Sequence, residues 1–203
     1  MASYGREWLV NPGEMNVSMT REEAWTLLNE YTKSDSLLKH ALAVEAAMGS
    51  YAQRLGENVE TWRLVGLLHD FDYERWPQPP EHTREGAKIL RERGVDEEIV
   101  GAMLSHAEWN HAEYLLDRPI RKVLYAVDEL CGFIMAVAYV RPEKLAGMAP
   151  KSVRKKMKQA SFAAAVSRDD ILKGAELLGI DLDEHIVNVI TAMQGISGQL
   201  GLA

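Results

Sequence analysis

W-R-L-V-G-L-L-H-D-F-D-Y-E-R-W-P-Q-P-P-E-H-T-R-E-G-A-K-I-L, residues 62–90, carries helical punctuation and reactive side chains in one stretch. Trp62, Val65 and Leu68 recur at helical spacing and mark one apolar face; His69 continues that line, with Asp70 directly after it. Pro77, Pro79 and Pro80 then forbid a helix, so residues 71–81 read as a loop. Helical periodicity resumes with His82, Gly86 and Ile89 on one face and stops at Gly94.

The same punctuation extends outward in both directions. Thr20 opens T-R-E-E, where its hydroxyl can cap a helix while Glu23 reaches back. Leu37, Ala41, Val44, Met48, Tyr51 and Leu55 predict a helix between Ser34 and Gly56. Downstream, Asp96 caps a predicted helix over residues 96–109. Pro119 suits the first turn of a long helix reaching Val140, and Pro142 follows its end. Three shorter helices are predicted at 150–164, 168–178 and 182–194, the last two opened by S-R-D-D at Ser167 and D-L-D-E at Asp181. No alternating apolar–polar run and no Asn-Gly hairpin signal interrupts this pattern. The fold class predicted is all-α, a compact multi-helix bundle. No flexible linker divides the chain, so residues 1–203 read as a single domain.

Composition narrows the function classes. The 203 residues carry 23 Lys and Arg against 30 Asp and Glu, a formal charge of −7. That balance disfavours broad, sequence-independent nucleic-acid binding, which needs a net basic face. The lone Cys131 excludes an internal disulfide and any multi-cysteine zinc site. The longest apolar run, residues 131–140, is too short to span a bilayer. The N-terminal stretch has no basic-then-apolar leader pattern, so the expectation is a soluble, cytoplasmic protein.

Histidines stand where surface histidines do not. His40 lies on the stripe of Leu37 and Val44, and His106 falls in line with Ile99 and Met103. Asp128 sits among core positions between Leu124 and Cys131. Several inward-facing polar groups on successive helices are costly unless they satisfy one another or a cation. Neutral imidazoles and carboxylates are the ligand set of zinc, iron, manganese or nickel. A carboxylate such as Asp70 has two oxygens and can bridge two ions.

The order His40, then the His69-Asp70 doublet, then Asp128 resembles the H…HD…D signature of the HD-domain metal-dependent phosphohydrolases. His82 and His106 resemble the extra histidines of members that hold two metals, and H-T-R-E-G-A-K-I-L is similar to a segment found there. The resemblance covers residues 34–140, with 141–203 as a helical extension. The later segments K-S-V-R-K-K-M-K and F-A-A-A-V-S-R also resemble the tails of small bacterial HD hydrolases. It implies that His40, His69, Asp70 and Asp128 hold a first divalent ion (Fe, Mn, Ni, Zn or Mg). Asp70, His82 and His106 would hold a second.

The implied activity is hydrolysis of a phosphate ester by metal-bound hydroxide, with Asp70 as the catalytic residue that positions it. The expected partner is a small phosphorylated substrate such as a nucleotide, with no duplex nucleic acid and no membrane. Two alternatives are a di-iron oxygenase on the same ligand set and a non-catalytic, metal-stabilised binding module.

Departures from the family pattern matter. Asp72 stands where H-D-I-G members have glycine. The run S-H-A-E-W-N-H lacks a paired histidine and no G-Y-P follows, which argues against cyclic dinucleotide cleavage and leaves the second site one ligand short unless His111 substitutes. His185 is expected to cap a helix or face solvent. Lys151, Arg154, Lys155, Lys156 and Lys158 read by default as a solvated face. In the sharper reading, Lys151 and Arg168 bind substrate phosphate. Tyr73, Arg75 and Trp76 are expected to overhang the cleft.

Overall fold

The structure, a computed structural model, describes residues 19–203. Among the described residues the fold consists of ten α-helices with no strand, the all-α class that the sequence predicts. The first, α1 (Arg21–Tyr31), begins with the capping box read from the sequence: Thr20 Oγ1 accepts from Glu23 N, and the Glu23 carboxylate accepts from Thr20 N.

The most extensive helix pairing is α2 (Asp35–Leu55) with α3 (Val59–Leu68). It depends on a glycine. A Cβ on Gly66 would lie 2.8 Å from the Val44 carbonyl oxygen and 2.9 Å from Glu45 Cα, so only a residue without a side chain allows this approach. That approach brings His40, on α2, beside His69, at the C-terminal end of α3. Buried Glu45 reinforces it by accepting from Arg21 on α1 and from Arg63 on α3.

The proline-rich segment forms turns and leads into α4 (Glu81–Glu92) and α5 (Glu97–Ser105). α5 ends four residues before the predicted boundary; His106 caps it, and a short 3-10 turn, Glu108–Asn110, follows. Central to everything is α6 (Pro119–Tyr139), apolar on most of its surface and buried accordingly.

Around α6 pack α7 (Pro150–Met157), α8 (Arg168–Leu178) and α9 (Leu182–Gln194), while the short α10 (Ser197–Leu200) packs against α2. α7 stops seven residues short of its predicted end. The carbonyls of Phe162, Ala163 and Val166 are taken by the Arg168 guanidinium rather than by helical N–H groups. At the α6–α8 crossing a Cβ on Gly174 would lie 2.7 Å from Ala126 Cα.

His185 differs from expectation. It is fully buried on α9, with Nδ1 2.6 Å from the Tyr51 hydroxyl and Nε2–H donating to the Ala126 carbonyl at 2.9 Å. Burial lowers its pKa, and it ties α9 to α2 and α6 as a neutral core residue. No helix among the described residues is long and apolar enough to cross a membrane.

Candidate metal centre

Two backbone carbonyls and one carboxylate decide what three of the histidines present. His69 Nδ1–H donates to the Gly66 carbonyl at 2.8 Å, a bond that exists because Gly66 and His69 lie one turn apart at the end of α3. His106 Nδ1–H donates to the Met103 carbonyl at 2.6 Å. His82 Nδ1–H donates to Asp72 Oδ1 at 3.0 Å. In each ring Nδ1 is committed to a donor bond, so Nε2 is the nitrogen whose lone pair becomes available to a cation once any proton there is displaced.

Those lone pairs converge on other acceptors. His82 Nε2 and His106 Nε2 both lie 3.2 Å from Asp70 Oδ1. His69 Nε2 lies 3.4 Å from both Asp70 Oδ2 and Asp128 Oδ1. His40 Nε2 completes the group, 2.9 Å from Asp128 Oδ1 and 3.2 Å from His69 Nε2. His40, His69, Asp70 and Asp128 form one cluster; Asp70, His82 and His106 form a second, joined to the first through the two oxygens of Asp70. Lone pairs facing carboxylate oxygens repel unless a proton or a cation lies between them. The donor set therefore fits divalent ions, and the bonds to Nδ1 are the orienting contacts that metal-bound histidines use.

Electrostatics agree. Burial opposes the charge on Asp70, but His69, His106 and His82 hold its carboxyl well below the usual range. Burial likewise opposes the charge on Asp128, which His69 and His40 keep low. Burial depresses the His82 pKa, yet hydrogen bonds to Asp70 and Asp72 lift it to about 9. His82 therefore holds its proton tightly, and that is a proton a bound cation would displace.

His82 reaches this position through a break in α4 rather than along a regular helical face. His82 has ψ 136° and Thr83 has φ 69°, a left-handed conformation that a β-branched residue rarely adopts. Asp72 makes the bend possible. Fully buried, its Oδ2 accepts from Thr83 N and Gly86 N at 2.8 Å each, while Oδ1 holds His82. Asn110 Nδ2 donates to Thr83 Oγ1 at 2.8 Å from the other side. In the sequence Asp72 stands out only as a departure from glycine. Its signal was its place two residues after Asp70 and ten before His82.

The clusters lie in a cleft of about 450 Å3 whose lining includes Tyr73, Trp109, Tyr125, Glu129 and Val166. Trp109, missed from the sequence, stands beside His82 with ring centroids 5.9 Å apart, and Tyr73 does so at 5.1 Å. Glu129 also escaped notice; burial and the neighbouring Asp128 raise its pKa to about 7. Of the predicted overhang, Tyr73 lines the cleft, whereas Arg75 lies over the Tyr31 ring and Trp76 packs beside it. His111 stays outside both clusters, with Nε2–H donating to the Ser105 carbonyl. Neither Lys151 nor Arg168 lines the cleft. Arg168 is engaged by backbone carbonyls and the Phe133 ring.

A family model described as HD domain matches residues 37–150, more than half of the chain. Among curated proteins, Ribonuclease Y of Thermosipho melanesiensis is 34% identical over 99 residues, covering 47% of this chain and 18% of that protein. Ribonuclease Y of Geobacter sulfurreducens is 29% identical over 128 residues, covering 61% and 20%. Ribonuclease Y of Thermotoga maritima is 37% identical over 73 residues, covering 35% and 14%. The chain thus spans a fifth or less of the length of these relatives. No solved structure matches it.

These relatives overturn the expectation of a small phosphorylated partner with no duplex nucleic acid, because they are named for action on RNA. The reason is physical: a net charge of −7 averages over the whole surface and says nothing about where cations gather.

Proposed function

The chain belongs to the HD-domain family of metal-dependent phosphohydrolases, and on that premise we propose that it hydrolyses phosphodiester bonds of single-stranded RNA at a two-ion centre. One ion would be held by His40, His69, Asp70 and Asp128, the other by Asp70, His82 and His106. The observation that carries this reading is the shared carboxylate: Asp70 turns one oxygen toward each cluster, and the histidine lone pairs around it point inward.

Ions bound there would supply Lewis acidity toward phosphoryl oxygens and acidify a water near neutral pH. The chain does the rest. Gly66, Met103 and Asp72 fix the imidazole tautomers, and Asp70 is the residue we assign to positioning the nucleophile. Tyr73 and Trp109, both partly exposed beside His82, offer ring faces on which an unpaired base can stack. Support for RNA as the substrate comes from the named relatives.

The test is a Mn-loaded preparation acting on an end-labelled single-stranded RNA, set against the Asp70→Ala variant. Asp70→Ala is expected to lose bound metal and cleavage together, with helix content by circular dichroism unchanged. Full metal content and full turnover in Asp70→Ala would overturn the assignment.

A further inference from the structure

α7 carries a row of cations that the metal centre does not use. Lys151, Lys155 and Lys158 lie at i, i+4 and i+7, and Lys158 keeps helical dihedrals at the cap, so the three share one stripe. Neighbouring positions in the stripe are about 4.5–6 Å apart along the helix axis, from a rise of about 1.5 Å per residue. All three side chains are exposed, and none has an ion-pair partner among the described residues. Their neighbours are occupied differently. Arg154 pairs with Asp183 at 3.1 Å, and Lys156 Nζ donates to Gln159 and lies 4.6 Å from the Phe162 ring centroid. On the opposite face Val153 is fully buried and Met157 packs against the core, so the row is displayed from an anchored helix.

An uncompensated row of ammonium groups is costly to maintain by self-repulsion, and it stands out on a chain with an excess of seven negative charges. Repeated polyanionic charge is what such a row attracts. Residues 159–166 run from the end of α7 to the cleft, where Ala165 and Val166 form part of the lining. Arg168 holds that segment by donating to the carbonyls of Phe162, Ala163 and Val166.

We infer that the Lys151–Lys155–Lys158 stripe is a phosphate-binding track for the part of an RNA strand that extends out of the metal cleft. The inference rests on the reading of the cleft as RNA-cleaving. It assigns substrate binding to a surface beyond the reacting phosphate: the track grips backbone charge at successive nucleotides without reading their bases.

The experiment compares the native protein with the triple variant Lys151→Ala/Lys155→Ala/Lys158→Ala, whose exposed positions spare the core. Binding of a fluorescein-labelled uridine 20-mer is followed by anisotropy in EDTA, so that no cleavage contributes. The triple variant is expected to bind about tenfold more weakly. Its plot of log affinity against log salt should be shallower by about 2, because each phosphate that a lysine no longer neutralises on a single strand takes about 0.7 from the slope. Lys→Arg at the same three positions should restore both. Hydrolysis of bis(p-nitrophenyl) phosphate by the Mn-loaded triple variant should equal that of the native protein. Native-like affinity and salt slope in the Ala variant overturn the track while leaving RNA cleavage by the native protein standing. Failure of the native protein to bind the 20-mer overturns the track, and failure to cut RNA in the separate cleavage assay overturns the functional reading.

Discussion

Replacing Asp72 by Asn should unload one metal cluster while leaving the protein folded. The two carboxylate oxygens have separate tasks: Oδ2 accepts the Thr83 and Gly86 N–H groups, and Oδ1 accepts from His82 Nδ1. An Asn carboxamide can keep its oxygen toward the two backbone donors. Its NH2 then faces His82 Nδ1, where an acceptor stood. His82 must respond by moving its proton to Nε2, the nitrogen 3.2 Å from Asp70 Oδ1, and the lone pair offered to a cation disappears.

Removing an orienting partner of this kind costs about 10–100-fold in metal affinity, or about 1.4–2.7 kcal/mol. Stability should change little, because both backbone hydrogen bonds survive. Asp72→Ala is the contrast: it strands two buried N–H donors at about 1–3 kcal/mol each and removes support from the left-handed Thr83. Calorimetric titration of the metal-free proteins with Mn, alongside thermal unfolding, separates the two effects. The expected pattern is Asn weak in metal but stable, and Ala weak in both. If Asp72→Asn binds two ions per chain with native affinity, the tautomer argument is wrong.

Two further outcomes are expected. Burial holds His185 below its ordinary pKa, so its neutral form stabilises the fold above about pH 6.5; that stability is lost as pH falls through the lowered folded-state value. As pH falls below about 6.5, native stability should therefore fall relative to His185→Gln, and a difference constant with pH would contradict this. Gly66→Ala should destabilise by about 1–3 kcal/mol through overpacking against the α2 backbone, less the roughly 1 kcal/mol that Ala gains in helix propensity. It should also lower metal content, since α2 carries His40; denaturant unfolding and metal analysis check the two parts.

Much of the architecture was legible because its signals are local. The Thr20 capping box, the Asp96 and Ser167 caps and Pro119 in the first turn of α6 each act within a few residues, and each appears as read. The inward histidines were legible for the same reason, since a polar residue in an apolar stripe is visible at helical spacing. What escaped depends on partners distant in sequence. Nothing near Thr83 announces a left-handed bend, which needs Asp72 from eleven residues earlier and Asn110 from 27 residues later. His185 looked like a surface residue between Glu184 and Ile186 until Tyr51 and Ala126 closed around it. Arg168 escaped for a different reason: its partners lie two to six residues away, but the irregular turn that brings their carbonyls to the guanidinium follows no periodicity.

That Arg168 clasp also holds one wall of the cleft. The wall at Ala165 and Val166 is attached through Arg168 to α8, and α8 rests on α6 at Gly174, backbone nearly against backbone beside Ala126. α6 in turn carries Asp128 two residues further on. That wall is thus seated helix to helix, on the same helix as the candidate metal ligand Asp128. Evolution or engineering that sought to admit a bulkier strand would have little to gain from lengthening a surface loop. The adjustable joint is the small-residue seat between α6 and α8, and any shim placed there shifts gate and ligand together.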